Sequence, residues 1–360
     1  MKVAVIHDWL VVNAGAEKVL KEILELFPNA DIFSIVDFLS KKDREAILNG
    51  KFAKSTFIQK LPFAKSHFRN YLPLFPKAIE SLNLSGYDLI ISSSWAFAKG
   101  VKRKEGQVHI CYCHTPIRYA WDLYEEYVSN LKEPKKFLVE MTLKYIRYWD
   151  IKSLDRVDYF IANSNFVKRR IKNIYKKDAK VIYPPVDVEK FTLYEQKENF
   201  YLTASRLVPY KKTKLIVEAF NKMPDKELVV IGAGEELEAI KAIAKDNITI
   251  MGYQEDRVLI DFMQRAKAFV YAAVEDFGIV PVEAMACGTP VVALNKGGTA
   301  ESVIDGFSGV LFENQTCDDI ILAIKRFEEL NFSYKDIREY SFKFSNFKEN
   351  FKKYVDSCTA

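Results

Sequence analysis

At 360 residues, with 49% apolar and 28% charged side chains, the chain has room for two domains of common size, each with its own core. No apolar run approaches the ~20 residues that a membrane-crossing helix needs, so a helical membrane protein is set aside. The formal charge of +5 hides an asymmetry: residues 1–187 hold 31 Lys and Arg against 21 Asp and Glu, and the remainder holds 22 against 27. A basic first half predicts an anionic partner, whether a membrane leaflet, a lipid phosphate or nucleic acid. The five cysteines (Cys111, Cys113, Cys287, Cys317, Cys358) are scattered. His7, His67, His109 and His114 show no ligand spacing, so neither disulfides nor a zinc site is expected.

In chain order, Lys2–Asp8 reads as a buried first strand. Its apolar run is too short for a signal peptide, and the protein is expected to be cytoplasmic. After the loop 9–15, a helix is predicted from Ala16 to about Phe27, with Val19, Leu20, Ile23, Leu24 and Phe27 on one face. Ile32–Val36 is a strand, Lys41–Asn49 a helix and Phe52–Lys54 a short strand. From Phe57 to Phe75, aromatic residues alternate with Lys60, Lys65, His67 and Arg69. Asp88–Ser92 and Val108–Cys113 are strands, and Phe137–Val157 is a long helix rich in aromatics and bases. Tyr159–Asn163 and Lys180–Ile182 are strands around the helix Asn165–Ile174. The adjacent prolines of Tyr183–Asp187 suit neither a helix nor a central strand and mark a linker.

A second series follows. Strands are predicted at Phe200–Ala204, Glu227–Ile231, Ile248–Met251, Ala268–Tyr271, Pro290–Leu294 and Gly309–Phe312. Helices lie near Lys214–Lys222, Glu235–Ala244, Asp256–Arg265 and Asp318–Leu330, and the tail Tyr334–Val355 has helical spacing. Such β/α alternation predicts doubly wound parallel sheets, whose ligands bind at the carboxyl ends of strands. The expected architecture is α/β, with two Rossmann-like domains (1–185 and 186–335) facing a central cleft and a C-terminal segment 336–360.

The densest motif runs from Glu275 to Pro290, E-D-F-G-I-V-P-V-E-A-M-A-C-G-T-P. It reads as a loop at a strand end, then a helix with Pro281 at its first position, Glu283 in its first turn and Gly288 past its end. Free N–H groups at that helix start make an anion site. Two carboxylates beside it suggest a ligand with both hydroxyls and phosphate. Arg206 and Lys211 fall in the loop after Phe200–Ala204, where two cations can neutralise a diphosphate. An isolated R-x4-K reads better as a solvated basic loop, and its pairing with the Glu275 segment is what reverses that reading.

Together these segments resemble the signature of retaining, GT-B-fold glycosyltransferases of family 4, and the resemblance extends from His7 to the tail. It implies a nucleotide-diphosphate sugar as donor, with no metal and no other cofactor. It implies catalytic roles for Glu275, His114, Arg206 and Lys211. Donor binding is implied for Gly15, Arg206, Lys211, Gly232, Tyr253, Glu275, Phe277, Gly278, Ile279, Val280 and Glu283. The family's tail helix packs back on its first domain, and the same is expected of 336–360. Asn13-Ala14-Gly15 corresponds to a Gly-rich loop that carries two adjacent glycines in many members; here one is alanine. Val229–Glu235 lacks the third glycine of a dinucleotide fingerprint, because Leu237 stands there, so NAD is discounted.

Cys113–Asp122 resembles the H-T-P-x-R-x-x-W-D block of O-antigen mannosyltransferases. That likeness implies GDP-mannose as donor and a lipid-linked saccharide as acceptor in surface-polysaccharide assembly. Arg118, Trp121 and Asp122 become acceptor-binding candidates, though Arg118 and Asp122 could instead pair with each other. With no nucleic-acid motif present, the basic first half is expected to meet an anionic membrane from the cytoplasmic side. A sugar-nucleotide epimerase of the same fold and a non-catalytic membrane-associated scaffold remain alternatives.

Overall fold

The computed structural model describes residues 1–129 and 131–359. The chain divides into two compact units: Met1–Pro185 with the chain from Phe347 onward, and Val186–Asn346.

The first unit holds a seven-stranded parallel sheet. Its strands are β1 (Val3–His7), β2 (Asp31–Ser34), β3 (Lys54–Ser55), β4 (Leu89–Ser94), β5 (Val108–Cys113), β6 (Tyr159–Ala162) and β7 (Ala179–Val181). They lie in the order β3-β2-β1-β4-β5-β6-β7, so the winding reverses between β1 and β4. That is the topological switch point, where side chains at the strand ends face a crevice. β1 and β4 are buried along their whole length; β1 is apolar up to His7, as a strand covered on both faces requires, whereas β4 ends in three buried serines.

The second unit holds a six-stranded parallel sheet. Its strands are β8 (Phe200–Ala204), β9 (Glu227–Ile231), β10 (Ile248–Gly252), β11 (Ala268–Tyr271), β12 (Val291–Leu294) and β13 (Gly309–Phe312). The order β10-β9-β8-β11-β12-β13 reverses between β8 and β11. The expected doubly wound α/β class is therefore what both units show.

Three expectations need correction. The segment 336–360 does not act as one element. Helix Tyr334–Ser341 buries Ile337 and Ser341 in the second unit, and Phe344 packs on Phe277 with ring centroids 5.6 Å apart. The return to the first unit falls at Phe347. Helix Phe347–Thr359 buries Phe347, Phe351 and Val355 with Leu20, Ile23 and Tyr112, and Lys348 pairs with Glu22 at 3.1 Å. The long basic helix spans Lys135–Lys152, ending earlier than the aromatic content suggested. Finally, the 57–75 patch is only partly surface, because some of its apolar residues turn into the core. Ile58, Phe68 and Phe75 are buried, with Phe75 edge-on to Phe97 at 5.3 Å; Phe57 and Phe63 are exposed.

Candidate active site

In the second unit, β8 and β11 are neighbours, and the loops leaving their carboxyl ends bring Lys211 to Glu275. Lys211 lies in a 3-10 turn, Pro209–Lys211, and its ammonium donates to Glu275 Oε1 and to Tyr271 Oη at 3.1 Å. Burial alone would depress the Lys211 pKa. The neighbouring Tyr271 and Glu275 outweigh it and raise it, so Lys211 stays a cation. Arg206, earlier in the same loop, is exposed and donates through Nη2 to Tyr210 Oη at 2.6 Å. The expected trio Arg206, Lys211 and Glu275 thus sits on two adjacent loops, with Tyr210 and Tyr271 as unforeseen supports. Tyr271 is at the C-terminal position of a fully buried apolar strand, which in sequence looks like core.

These loops are held by close backbone approaches. Leu207 N donates to Ala233 O at 2.9 Å and Glu236 N donates to Leu207 O at 3.1 Å. A Cβ on Gly232 would stand 1.9 Å from Ser205 O, and one on Gly234 would stand 2.2 Å from Leu207 O. The G-x-G turn therefore locks the loop after β9 to the loop that carries Arg206 and Lys211. Similarly, Gly298 N donates to Glu275 O at 2.7 Å, and Glu275 bridges Gly297 across the loops after β11 and β12. The Gly297-Gly298-Thr299 run is legible in sequence as a turn, but its contact with Glu275 depends on the fold.

Helix Ile279–Ala286 begins two residues before Pro281, because Gly278 takes φ +87 and opens the helix at Ile279. Pro281 is thus the third helical residue, where its missing N–H is still unneeded. Glu283 is the fifth, beyond the first turn and buried at 4% exposure. The fully buried Thr299 hydroxyl lies 2.4 Å from where a Gly278 Cβ would be, and it meets no hydrogen-bond partner among the described residues. Phe277 points its ring into core against Phe344, so only its backbone is available to a ligand. Ile279 and Val280 are half-buried in the first turn. Tyr253 stands apart, 75% exposed after β10, the edge strand two removed from β8.

In the first unit, His114 follows β5. Its Nε2 is 2.8 Å from Ser93 Oγ on β4, its N–H donates to Ser94 O at 2.8 Å, and its carbonyl accepts from Asn163 Nδ2 at 2.9 Å. Burial, and then the nearby His7, push the His114 pKa down to about 3, so the ring is neutral at ordinary pH. Gly15 is the first residue of helix Gly15–Leu26. Its N-cap, Ala14, offers no side chain; the cap is made by Glu17 Oε2, which accepts from Ala14 N at 3.1 Å.

The acceptor candidates are tied into the scaffold. Trp121 Nε1 donates to Asp150 Oδ2 at 2.8 Å, and Asp122 pairs with Arg170 of helix Asn165–Tyr175. Asp150 also holds the buried Lys99 ammonium and accepts from Tyr175 Oη at 3.3 Å. The W-D pair therefore braces a buried ionic network, while Arg118 is half-buried beside it. No cluster of His, Cys, Asp and Glu that could hold a metal occurs among the described residues.

Two family models match in slightly overlapping stretches: "Glycosyltransferase Family 4" over residues 14–190, and "Glycosyl transferases group 1" over residues 187–344. An uncharacterized glycosyltransferase of Methanocaldococcus jannaschii is 32% identical over 209 residues, covering 55% of this chain and 59% of the relative. A GDP-mannose-dependent alpha-(1-6)-phosphatidylinositol monomannoside mannosyltransferase of Mycolicibacterium smegmatis is 33% identical over 141 residues, covering 33% of this chain and 36% of the relative. Each match thus spans well under two thirds of the curated relative's length. Among solved structures, Anabaena Alr3699/HepE in complex with UDP superposes with a TM-score of 0.72 at 18% identity, over 99% of this chain and 100% of that one. That likeness carries the fold, two parallel-sheet Rossmann-like units of the GT-B class.

Proposed function

This chain belongs to the family 4, group 1 glycosyltransferases, and on that premise we propose that it transfers a hexose from a nucleotide-diphosphate donor, with retention. The observation that supports this most is the Lys211–Glu275–Tyr271 cluster at the switch point of the second sheet, with Arg206 on the same loop. In a glycosyl transfer, negative charge grows on the departing diphosphate. Lys211, Arg206 and the free N–H groups at the start of helix Ile279–Ala286 are the groups suited to meet it. Donor phosphate competes with Glu275 for Lys211, and Glu275 then turns to the sugar hydroxyls and to the positive character at the anomeric carbon. Glu283 is assigned to the ribose hydroxyls, reached from the buried side of its helix. No nucleophilic role falls to Glu275; the acceptor hydroxyl attacks on the leaving-group face, with the phosphate taking its proton.

Mannose from GDP-mannose is the donor we favour, supported by the H-T-P-x-R-x-x-W-D block and by the GDP-mannose-dependent relative. The acceptor in this reading is a lipid-linked saccharide of surface-polysaccharide assembly, and His114 holds a sugar hydroxyl. Membrane contact is assigned to helix Lys135–Lys152, whose Phe137, Leu138, Met141, Tyr145 and Tyr148 are exposed beside Lys136, Lys144 and Lys152. That pattern suits an interfacial helix on an anionic leaflet, at the inner face of the cytoplasmic membrane. No helix among the described residues is long and apolar enough to cross a membrane.

A thermal-shift panel of GDP, UDP and ADP tests the donor, because a ligand of the native state raises apparent stability with its concentration over Kd. GDP is expected to give the largest shift. Product analysis then separates the chemistry: a glycoside supports transfer, whereas free epimerised sugar would assign the chain to the epimerases.

A further inference from the structure

Four side chains at the carboxyl end of the first sheet form a hydrogen-bonded line that has a direction. Glu17 Oε2 is occupied by Ala14 N–H, and its Oε1 lies 3.5 Å from Nε2 of His7, the last residue of β1. Nδ1 of His7 is 3.1 Å from Ser93 Oγ, and Ser93 Oγ is 2.8 Å from His114 Nε2. His7, Glu17 and Ser93 are buried. Trp95 holds the two imidazoles, edge-on to His7 at 4.9 Å and to His114 at 5.9 Å.

The inventory of donors fixes the order. With a carboxylate at Glu17, which has only lone pairs to offer, and a neutral ring at His7, the His7 proton sits on Nε2 and Nδ1 is left as an acceptor. The single hydroxyl proton of Ser93 then goes to His7 Nδ1. Ser93 Oγ is left to accept, so His114 must donate from Nε2. The other ring nitrogen of His114, for which no hydrogen bond occurs among the described residues, is then left with a lone pair.

We propose that Glu17, His7 and Ser93 are positioning residues that set His114 as the Nε2–H tautomer, so that its Nδ1 accepts a hydrogen bond from a substrate hydroxyl. The ligand in this statement rests on the transferase reading; the tautomer does not. His114 is accordingly an acceptor, selective for a hydroxyl that can donate in its direction, and not a general acid. A sugar carrying a methoxy or fluoro group at that position loses the bond.

The test uses the full-length chain labelled with 15N-histidine, with the His114 signals assigned by comparison with His114→Gln. Wild type is expected to show a protonated Nε2 and an unprotonated Nδ1 on His114. In Glu17→Gln the amide oxygen keeps the Ala14 bond and the NH2 group turns to His7. Every donor in the line then reverses, and His114 should carry its proton on Nδ1. Donor turnover should fall about tenfold or more in kcat/KM, the loss of one hydrogen bond. Ser93→Ala cuts the line and should give a mixture of His114 tautomers, which decides the matter should Glu17→Gln fail to fold.

A protonated Nδ1 in wild type, or one unchanged tautomer across the variants, overturns the proposal. A reversed tautomer with unchanged turnover overturns the positioning role. Reversal in a protein that transfers no sugar at all would count against the transferase reading and support the hydrogen-bonded line.

Discussion

In the second unit, the crevice end of the sheet is charged: Lys211 and Glu275 face each other, and Arg206 is exposed beside them. In the first unit, the same topological position holds a hydrogen-bonded line of His7, Ser93 and the half-buried His114, anchored on Glu17. Both sheets are parallel and reverse at their switch points. The fold therefore sets where ligands meet side chains, and the loop residues set what those side chains do. A charged pair can exchange one partner for an incoming phosphate. A hydrogen-bonded line anchored on a carboxylate presents donors and acceptors in one order. In the proposed transfer, the first would meet the leaving group and the second would select a hydroxyl.

The comparison can be broken most severely from beneath. Asp150→Ala leaves the Lys99 ammonium buried without its carboxylate, and on the order of 3–5 kcal/mol of stability should be lost, read as a fall in the urea midpoint. Next is the charged end itself. Glu275→Ala and Lys211→Ala should each lower kcat by about 10² or more with the chain still folded; near-wild-type turnover in either variant would remove the pair from the chemistry. Gly232→Ala places a Cβ against Ser205 O and should cost about 1–3 kcal/mol while displacing the loop of Arg206.

Acid sensitivity is expected from a buried histidine of the first unit, near the amino end of β5. Burial holds the His109 pKa down to about 4, against 6.5 for the free side chain, with Ser92 Oγ 2.8 Å from Nε2. Above pH 6.5 neither state binds the proton, and His109 makes no pH-dependent contribution. As the pH falls from 6.5 toward about 4, the unfolded chain takes up a proton that the folded chain resists, so stability declines. A urea series across that window should show the decline, and His109→Gln should flatten part of it. His114 is held lower still, to about 3, so the pH–rate profile should carry no inflection near 6.5 from it. The smallest effect on stability belongs to Phe137→Ser with Met141→Ser, within about 0.5 kcal/mol at exposed positions, while sedimentation with anionic vesicles should drop.

Much of this is legible in the amino-acid sequence. The strands announce themselves because parallel strands covered on both faces must be apolar throughout, as in Val3–His7 and Ala268–Tyr271. Arg206, Lys211 and Glu275 were legible because each follows such a strand. What escaped depends on contacts between distant segments. Trp121 and Asp122 look like ligand residues in a motif, yet Asp150 and Arg170 claim them from helices later in the chain. The aromatics of 57–75 look like a surface patch, but Trp9 and Phe97 draw Phe68 and Phe75 inward. Pro281 suggested a helix start, and the left-handed Gly278 moved it two residues upstream. Glu17 and His7 carried no signal of their own; ten residues apart on strand and helix, they meet only through the fold.

The central claim is that the charged end of the second sheet binds the donor diphosphate. Titration calorimetry of GDP and UDP against wild type and Lys211→Ala tests it most directly. The account predicts that a nucleoside diphosphate binds the wild type, GDP more tightly than UDP, and that Lys211→Ala weakens it by about tenfold or more, the worth of one charge-assisted hydrogen bond. Equal affinity for both proteins, or no binding of either nucleotide to the wild type, would contradict it.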